Sequence, residues 1–170
     1  MASSPENLFN AGLSKKIRVR GNHYKAMKFS DRFKIGVSDW IIFHEGLSVC
    51  LEAKAIQGLP DKPSTKVLKH TFEGPQLTFF KEMELANISA WGLVARLDLR
   101  KMLLIPAQKI PPSGNFTRLE FETLYRENPY FDFDDVQGML DLLFESARSE
   151  MFNLLDAPLD MNDFTPKGTV

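Results

Sequence analysis

Two short, β-prone runs separated by a tight-turn signal constrain this chain more than any other feature. The runs are Trp40 to Phe43 and Ser48 to Ala55, and the turn signal between them is His44-Glu45-Gly46-Leu47. This arrangement is typical of a β-hairpin. A turn centred on Glu45-Gly46 predicts the cross-strand pairs Phe43 with Ser48 and Ile41 with Cys50.

The same register brings two carboxylates together, because Asp39 then lies opposite Glu52. Opposed residues have Cβ atoms about 4.5 to 5.5 Å apart, and Lys54 projects from the same face as Glu52 because side chains alternate along a strand. Like charges at that distance repel unless a cation lies between them or one carboxyl is protonated. Mg²⁺ fits such a patch through Asp39, Glu52 and the carbonyl of Ala53, whereas Lys54 neutralising Glu52 on a solvated strand face is the plain structural alternative.

The rest of the chain alternates helical and strand-like segments. A proline near the start predicts a first helix over Glu6 to Lys16, and Gly74-Pro75 opens a second helix that runs to about Asn87. Asp134 to Leu155 is amphipathic, with Val136, Met139, Leu140, Leu143, Met151 and Leu154 near one face. Strand-like pieces are expected at Lys66 to Phe72, Ala90 to Leu97 and Met102 to Ile105. The order predicts an α/β fold with a mixed central sheet flanked by helices.

Composition indicates one intracellular domain. The chain has 170 residues, of which 44% are apolar, and this is enough for one core of ordinary size. A single cysteine, Cys50, excludes a disulfide framework, and three histidines leave little for a Cys/His metal cluster. Neither a membrane span nor a signal peptide is expected, since the chain has no long apolar run and its start carries Glu6. We expect a core over residues 5–106, a helical extension over 116–156 and a mobile tail over 157–170.

Charge is segregated along the chain although the formal net charge is only −1. Between residues 13 and 34 one acid, Asp31, faces eight basic residues: Lys15, Lys16, Arg18, Arg20, Lys25, Lys28, Arg32 and Lys34. Residues 118–163 are strongly acidic. The basic stretch is a candidate DNA-binding surface, with two solvated surfaces of opposite sign as the alternative. Lys62, Lys66 and Lys69 flank the carboxylate patch, where they either hold a phosphate backbone or belong to a solvated loop.

Four ordered segments resemble the PD-(D/E)xK nuclease superfamily. They are Gly36-Val37-Ser38-Asp39-Trp40, Leu51-Glu52-Ala53-Lys54-Ala55, His70-Thr71-Phe72-Glu73-Gly74-Pro75-Gln76 and Ala90-Trp91-Gly92-Leu93-Val94. Together they cover roughly residues 36 to 97 and are more specific than any one of them. The pattern looks most like the RecU-type Holliday-junction resolvases, and the VRR-NUC nucleases come close behind.

The resemblance implies a restriction-endonuclease-like fold and a role for each matched residue. Asp39 and Glu52 become metal ligands, Lys54 the catalytic lysine and Gln76 a residue at the start of the next helix near the site. Glu6 looks like the further acid that these families contribute from the first helix. The cofactor implied is Mg²⁺, with Mn²⁺ as a substitute.

The function implied is hydrolysis of phosphodiester bonds in branched DNA, as in a Holliday-junction resolvase. The alternatives are a VRR-NUC-like structure-specific nuclease and a nuclease-fold DNA-binding or assembly protein that cleaves nothing. Two matched cuts predict a homodimer, for which the first helix (Leu8, Phe9, Leu13) and the stripe Val136, Met139 and Leu143 are candidate contacts, unless they pack in the core. We expect a soluble protein in the cytoplasm of a bacterial or phage-infected cell.

Overall fold

A six-stranded mixed β-sheet forms the centre of this α/β fold. The computed structural model describes residues 5–19, 23–28 and 38–155, with side chains described as far as residue 151. In chain order the elements are α1 (Pro5–Val19), β1 (Lys25–Lys28), β2 (Trp40–His44), β3 (Leu47–Ile56), α2 (Gly74–Leu85), β4 (Ser89–Arg96), β5 (Lys101–Pro106), α3 (Arg118–Glu127), β6 (Tyr130–Asp132) and α4 (Val136–Leu155). The strands lie side by side in this order, and among the described strands the β3–β4 pair alone is parallel. The predicted fold class is confirmed.

The β2–β3 hairpin has the predicted register. Phe43 pairs with Ser48, and Ile41 pairs with Cys50. Glu45 and Gly46 at the turn both have positive φ, +48° and +81°. Two central residues in this conformation give the turn a twist that matches the twist of the strands. The tight turn therefore fixes which residues face each other along the hairpin.

Two apolar cores lie on the two faces of the sheet. On one face, Leu13 of α1 and the apolar stripe of α4 pack with Leu51 and Leu93. On the other face, Phe80 of α2 and Phe121 of α3 belong to the core that contains Cys50, Val94, Leu103 and Ile105. Successive residues of β3 thus face different helical layers, as a pleated strand requires.

The α4 stripe belongs to the core of this chain and is not available for a subunit contact. Val136, Met139 and Leu143 have no exposed surface, because they pack against the sheet beside Leu13. The hypothesis that these three residues meet a second copy is therefore wrong. Leu8 of α1 is 63% exposed, so that part of α1 remains open.

The strand expected at Lys66 to Phe72 is absent, and the segment is a loop with one isolated bridge from Lys66 to Thr117. Val67 and Leu68 are buried without joining the sheet. Their backbone groups pair with the segment after β5: the N–H of Val67 donates to the carbonyl oxygen of Phe116 at 2.8 Å. The apolar pattern correctly predicted that the segment is buried. It wrongly predicted a strand, because the backbone hydrogen bonds of the segment go to another loop and not to the sheet.

The structure also contains elements that were not predicted. β1 is a four-residue edge strand, β6 has three residues, and α3 begins after Thr117, which forms a reciprocal capping box with Glu120. Among the described helices none is long and apolar enough to cross a membrane. Residues 36–37, Arg20 and the tail 157–170, on which earlier expectations rest, lie outside the described residues, and the division into core and extension stays a prediction.

Candidate active site

β2 does not extend to Asp39, which leaves the backbone of β3 open to the side chain of Asp39. β2 begins at Trp40, so the N–H of Ala53 has no strand partner there and donates to Asp39 Oδ2 at 3.1 Å. In return, the N–H of Asp39 donates to Glu52 Oε2 at 2.9 Å. These two bonds hold the carboxylates of Asp39 and Glu52 beside each other at the point where the hairpin opens.

The Glu52 carboxylate is buried, with 2% of the residue exposed, and it accepts hydrogen bonds on both oxygens. Lys54 Nζ donates to Oε1 at 2.9 Å, and Gln76 Nε2 also donates to Oε1. The Lys54 side chain is itself buried. A buried charge is costly unless it is paired, so Glu52 and Lys54 depend on each other in this position.

Gln76 has its orientation set by the start of α2. Its Oε1 accepts the N–H of Glu73 at 2.9 Å, as in the backward half of a capping box. With the amide oxygen held by the backbone, the NH₂ group is directed to Glu52. The Gly74-Pro75 helix start, which the sequence signals, therefore also positions a side chain of the site.

Glu6 reaches the same cluster from α1. It is half-buried, and burial raises the pKa of its carboxyl group, while Lys54 lowers that pKa and Asp39 raises it further. The charge of His70 also acts on Glu6. The structure thus brings Asp39, Glu52, Lys54 and Gln76 into direct contact and places Glu6 within electrostatic range.

Burial and mutual repulsion shift the carboxyl groups toward their neutral forms. The pKa of Glu52 is raised to about 7, first by burial and then by the charge of Asp39, with Lys54 opposing the shift. Burial also raises the pKa of Asp39, against the hydrogen bond from Ala53 and the charges of Lys54 and Lys28. Two acids close together with one buried lysine carry more negative charge than their surroundings favour, which is a condition that a bound cation relieves.

Phe72 lies beside Lys54, Gly92 leaves room for the Phe72 ring, and sequence reasoning gave neither residue this role. The Phe72 ring lies 5.7 Å from Lys54 Nζ, and Gly92 is the parallel-strand partner of Glu52. A Cβ atom on Gly92 would stand 2.8 Å from the Phe72 ring. A glycine inside an otherwise apolar strand is the signal that could have indicated this close approach.

The donors fit Mg²⁺ better than a zinc-type site. Among the described residues no group of three or more His, Cys, Asp or Glu side chains is arranged to hold a metal ion. The set consists of two carboxylates and the carbonyl of Ala53, which points to the same side of β3 as its N–H. Asp39 Oδ1 receives no hydrogen bond within the described part of the chain. Few carboxylates, a carbonyl and space for water are what Mg²⁺ prefers.

The predicted DNA-binding residues that the structure describes lie on α1 and β1. Lys15 and Arg18 are exposed on α1, and Lys25 is exposed on β1. Lys28 is nearer to the site, since its Nζ lies 5.4 Å from the Trp40 ring and its charge acts on Asp39. Lys16 instead donates to Asp134 Oδ1 and to the Phe133 carbonyl oxygen, both at 2.6 Å.

The protein is thus an α/β chain in which two carboxylates, a lysine and a glutamine meet where a hairpin opens. In structure the chain is similar to Hjc of the archaeal hyperthermophile Archaeoglobus fulgidus, which is a Holliday junction resolvase. The two sequences are 13% identical, the match covers 73% of this chain and 97% of that one, and the TM-score is 0.45. No family model and no curated protein matches the sequence.

Proposed function

We propose that this protein is a metal-dependent endodeoxyribonuclease that hydrolyses phosphodiester bonds in branched DNA. The observation that carries the proposal is the contact between Glu52, Lys54 and Gln76 beside Asp39. Buried acids with raised pKa values next to a fixed ammonium group are unusual away from functional sites, because they cost stability. The resemblance to PD-(D/E)xK nucleases in the segments around these same residues supports the proposal.

In this proposal Asp39, Glu52 and the carbonyl of Ala53 hold Mg²⁺, and Mn²⁺ can replace it. A bound divalent ion activates water near neutral pH and neutralises charge on the phosphate. Lys54 holds a positive charge where negative charge develops on the phosphoryl oxygens during attack. Gln76 keeps the Glu52 carboxylate in one orientation, and Glu6 supplies a third carboxylate at the edge of the cluster.

The substrate in this proposal is branched DNA, with a four-way junction as the leading candidate. RecU-type specificity is inferred from the sequence segments alone, and a VRR-NUC-like preference for other branched structures is the second candidate. Such an enzyme acts where DNA is present, so we place it inside a bacterial or phage-infected cell.

A substrate panel tests the function. Purified protein is incubated with Mg²⁺ and end-labelled single strand, linear duplex, flap and four-way junction of matched sequence. We expect cleavage of the branched substrates and faster cleavage of the junction than of the linear duplex. Cleavage of flaps but not junctions would favour the VRR-NUC-like reading. Binding without cleavage in Mg²⁺ and Mn²⁺ would leave the non-cleaving DNA-binding protein.

A further inference from the structure

The loop between β3 and α2, residues 57–73, carries three exposed cations and ends beside the candidate active site. Lys62, Lys66 and Lys69 are exposed along it. At its end, Phe72 packs under Lys54, and Glu73 holds the amide of Gln76. The exposed His70 lies close enough for its charge to act on Glu6. The loop thus leads from an exposed basic surface to the carboxylates.

The backbone of this loop is fixed although it contains no helix or strand. The carbonyl oxygen of Thr65 accepts the N–H of Arg118, that of Asp61 accepts Arg118 Nη1 at 2.7 Å, and Asn115 bonds both the N–H and the carbonyl oxygen of Leu68. The N–H of Phe72 donates to the carbonyl oxygen of Gly114 at 2.9 Å. A loop held at both ends and in the middle presents its side chains in set positions, so less backbone entropy is lost when a ligand binds.

The inward and outward sides of the loop differ in chemistry. Val67, Leu68 and Phe72 are buried in the second core, whereas the three lysines face water. Within the described residues none of the three lysines forms an ion pair. The pKa of Glu120 is lowered mainly by its hydrogen bonds from Thr117, and the charge of Lys66 adds a smaller effect in the same direction. The lysines are therefore available for an external anion.

We propose that Lys62, Lys66 and Lys69 form a phosphate-binding ridge that holds the DNA backbone as it approaches Asp39 and Glu52. This inference rests on the proposed function, since it assumes that DNA is the substrate. Lysine binds phosphate as a point charge without reading the bases. The ridge therefore supplies affinity and places the strand, and it carries no sequence preference.

The test compares two triple variants with the same change in net charge. One is Lys62→Gln/Lys66→Gln/Lys69→Gln. The matched control is Arg100→Gln/Lys101→Gln/Arg148→Gln, which removes one exposed and two partly exposed cations that pair with Asp134, Asp132 and Glu45 elsewhere on the molecule. Binding to fluorescent duplex and junction DNA is measured by anisotropy in Ca²⁺ over a range of salt concentrations. Circular dichroism melting checks that each variant is folded.

We expect the ridge variant to bind every DNA at least about tenfold more weakly at moderate salt, while the control stays within about twofold of the parent. The slope of log affinity against log salt is negative, and each lost phosphate contact reduces its magnitude by about 0.9, so the magnitude falls by about 2 to 3. An unchanged affinity and slope in the ridge variant overturn the ridge even if the parent cleaves DNA. Weaker, shallower binding with a parent that cleaves nothing in Mg²⁺ or Mn²⁺ retains the ridge and removes the nuclease.

Discussion

Glu52 is the residue on which the electrostatics of the site depend, because its carboxylate meets Asp39, Lys54 and Gln76 at once. Its pKa in the folded protein is about 7, above the ordinary value of 4.5. A carboxyl group with a raised pKa binds protons more tightly in the folded state than in the unfolded state. Its contribution to stability is therefore fully present below about pH 4.5 and is lost as the pH rises through about 7.

We predict that in chelator the free energy of unfolding falls by about 1 to 3 kcal/mol between pH 5 and pH 8, and that saturating Mg²⁺ reverses most of this fall. Urea unfolding at the two pH values, with and without Mg²⁺, measures the change. Asp39→Asn is the control, because it removes the charge that helps raise the pKa of Glu52. The variant should show a smaller fall and little response to Mg²⁺. Equal pH dependence in parent and variant would contradict this account of the carboxylate pair.

At the scale of elements, the site depends on the close packing of the Phe72 ring against Gly92 of β4. Phe72 is 1% exposed, and its backbone oxygen lies only 1.8 Å from where a Cβ on Gly114 would stand. The backbone of Phe72 is thus packed closely against Gly114, and its ring is packed closely against Gly92 of β4. Movement of Phe72 would displace Lys54, which lies above it.

We predict that Gly92→Ala lowers the free energy of unfolding by about 1 to 3 kcal/mol, because a Cβ there overlaps the Phe72 ring. It should also lower cleavage activity at temperatures where the variant is still folded. Gly58→Ala is the matched control, since the nearest atom to its Cβ is Asp98 Oδ2 at an ordinary 3.5 Å. Denaturant unfolding and cleavage rates measure both variants, and equal behaviour of the two would show that Phe72 adjusts freely.

The elements differ in how far sequence alone could predict them. The β2–β3 hairpin was predictable because a two-residue turn sets its register locally, and with it the opposition of Asp39 and Glu52. The loop at residues 57–73 was not, since most of the backbone bonds that hold it go to residues more than 40 positions away, such as Phe116, Gly114 and Arg118. α3 could have been found from Thr117 and Glu120, which have the spacing of a capping box. The orientation of Gln76 needed coordinates, because it depends on one backbone N–H.

At the scale of the whole molecule, the homodimer expected from the sequence stays a prediction. Pro5, Leu8, Phe9 and Gly12 of α1 line an apolar groove of about 340 Å³, together with Leu97 and Phe133. Two matched cuts in a four-way junction require two sites related by a two-fold axis, which a symmetric dimer provides.

We predict that the protein is a dimer at micromolar concentration and that Leu8→Glu shifts it to a monomer without unfolding it. Leu8 is 63% exposed, so the substitution costs the folded monomer little. Multi-angle light scattering measures the mass, with Leu119→Glu as a control at a similarly exposed leucine, 59%, on α3. A mass near 19.4 kDa for the parent without DNA, together with one protein copy per junction in the complex, would contradict the dimer.

The central claim is that the cluster of Asp39, Glu52 and Lys54 breaks phosphodiester bonds. The most direct measurement is single-turnover cleavage of a labelled four-way junction by the parent and by Lys54→Ala, with junction binding measured separately in Ca²⁺. The account predicts cleavage by the parent in Mg²⁺, none in excess chelator, and a rate at least about a hundredfold lower for Lys54→Ala with binding nearly unchanged. Cleavage by Lys54→Ala at the parental rate, or undiminished cleavage in chelator, would contradict it.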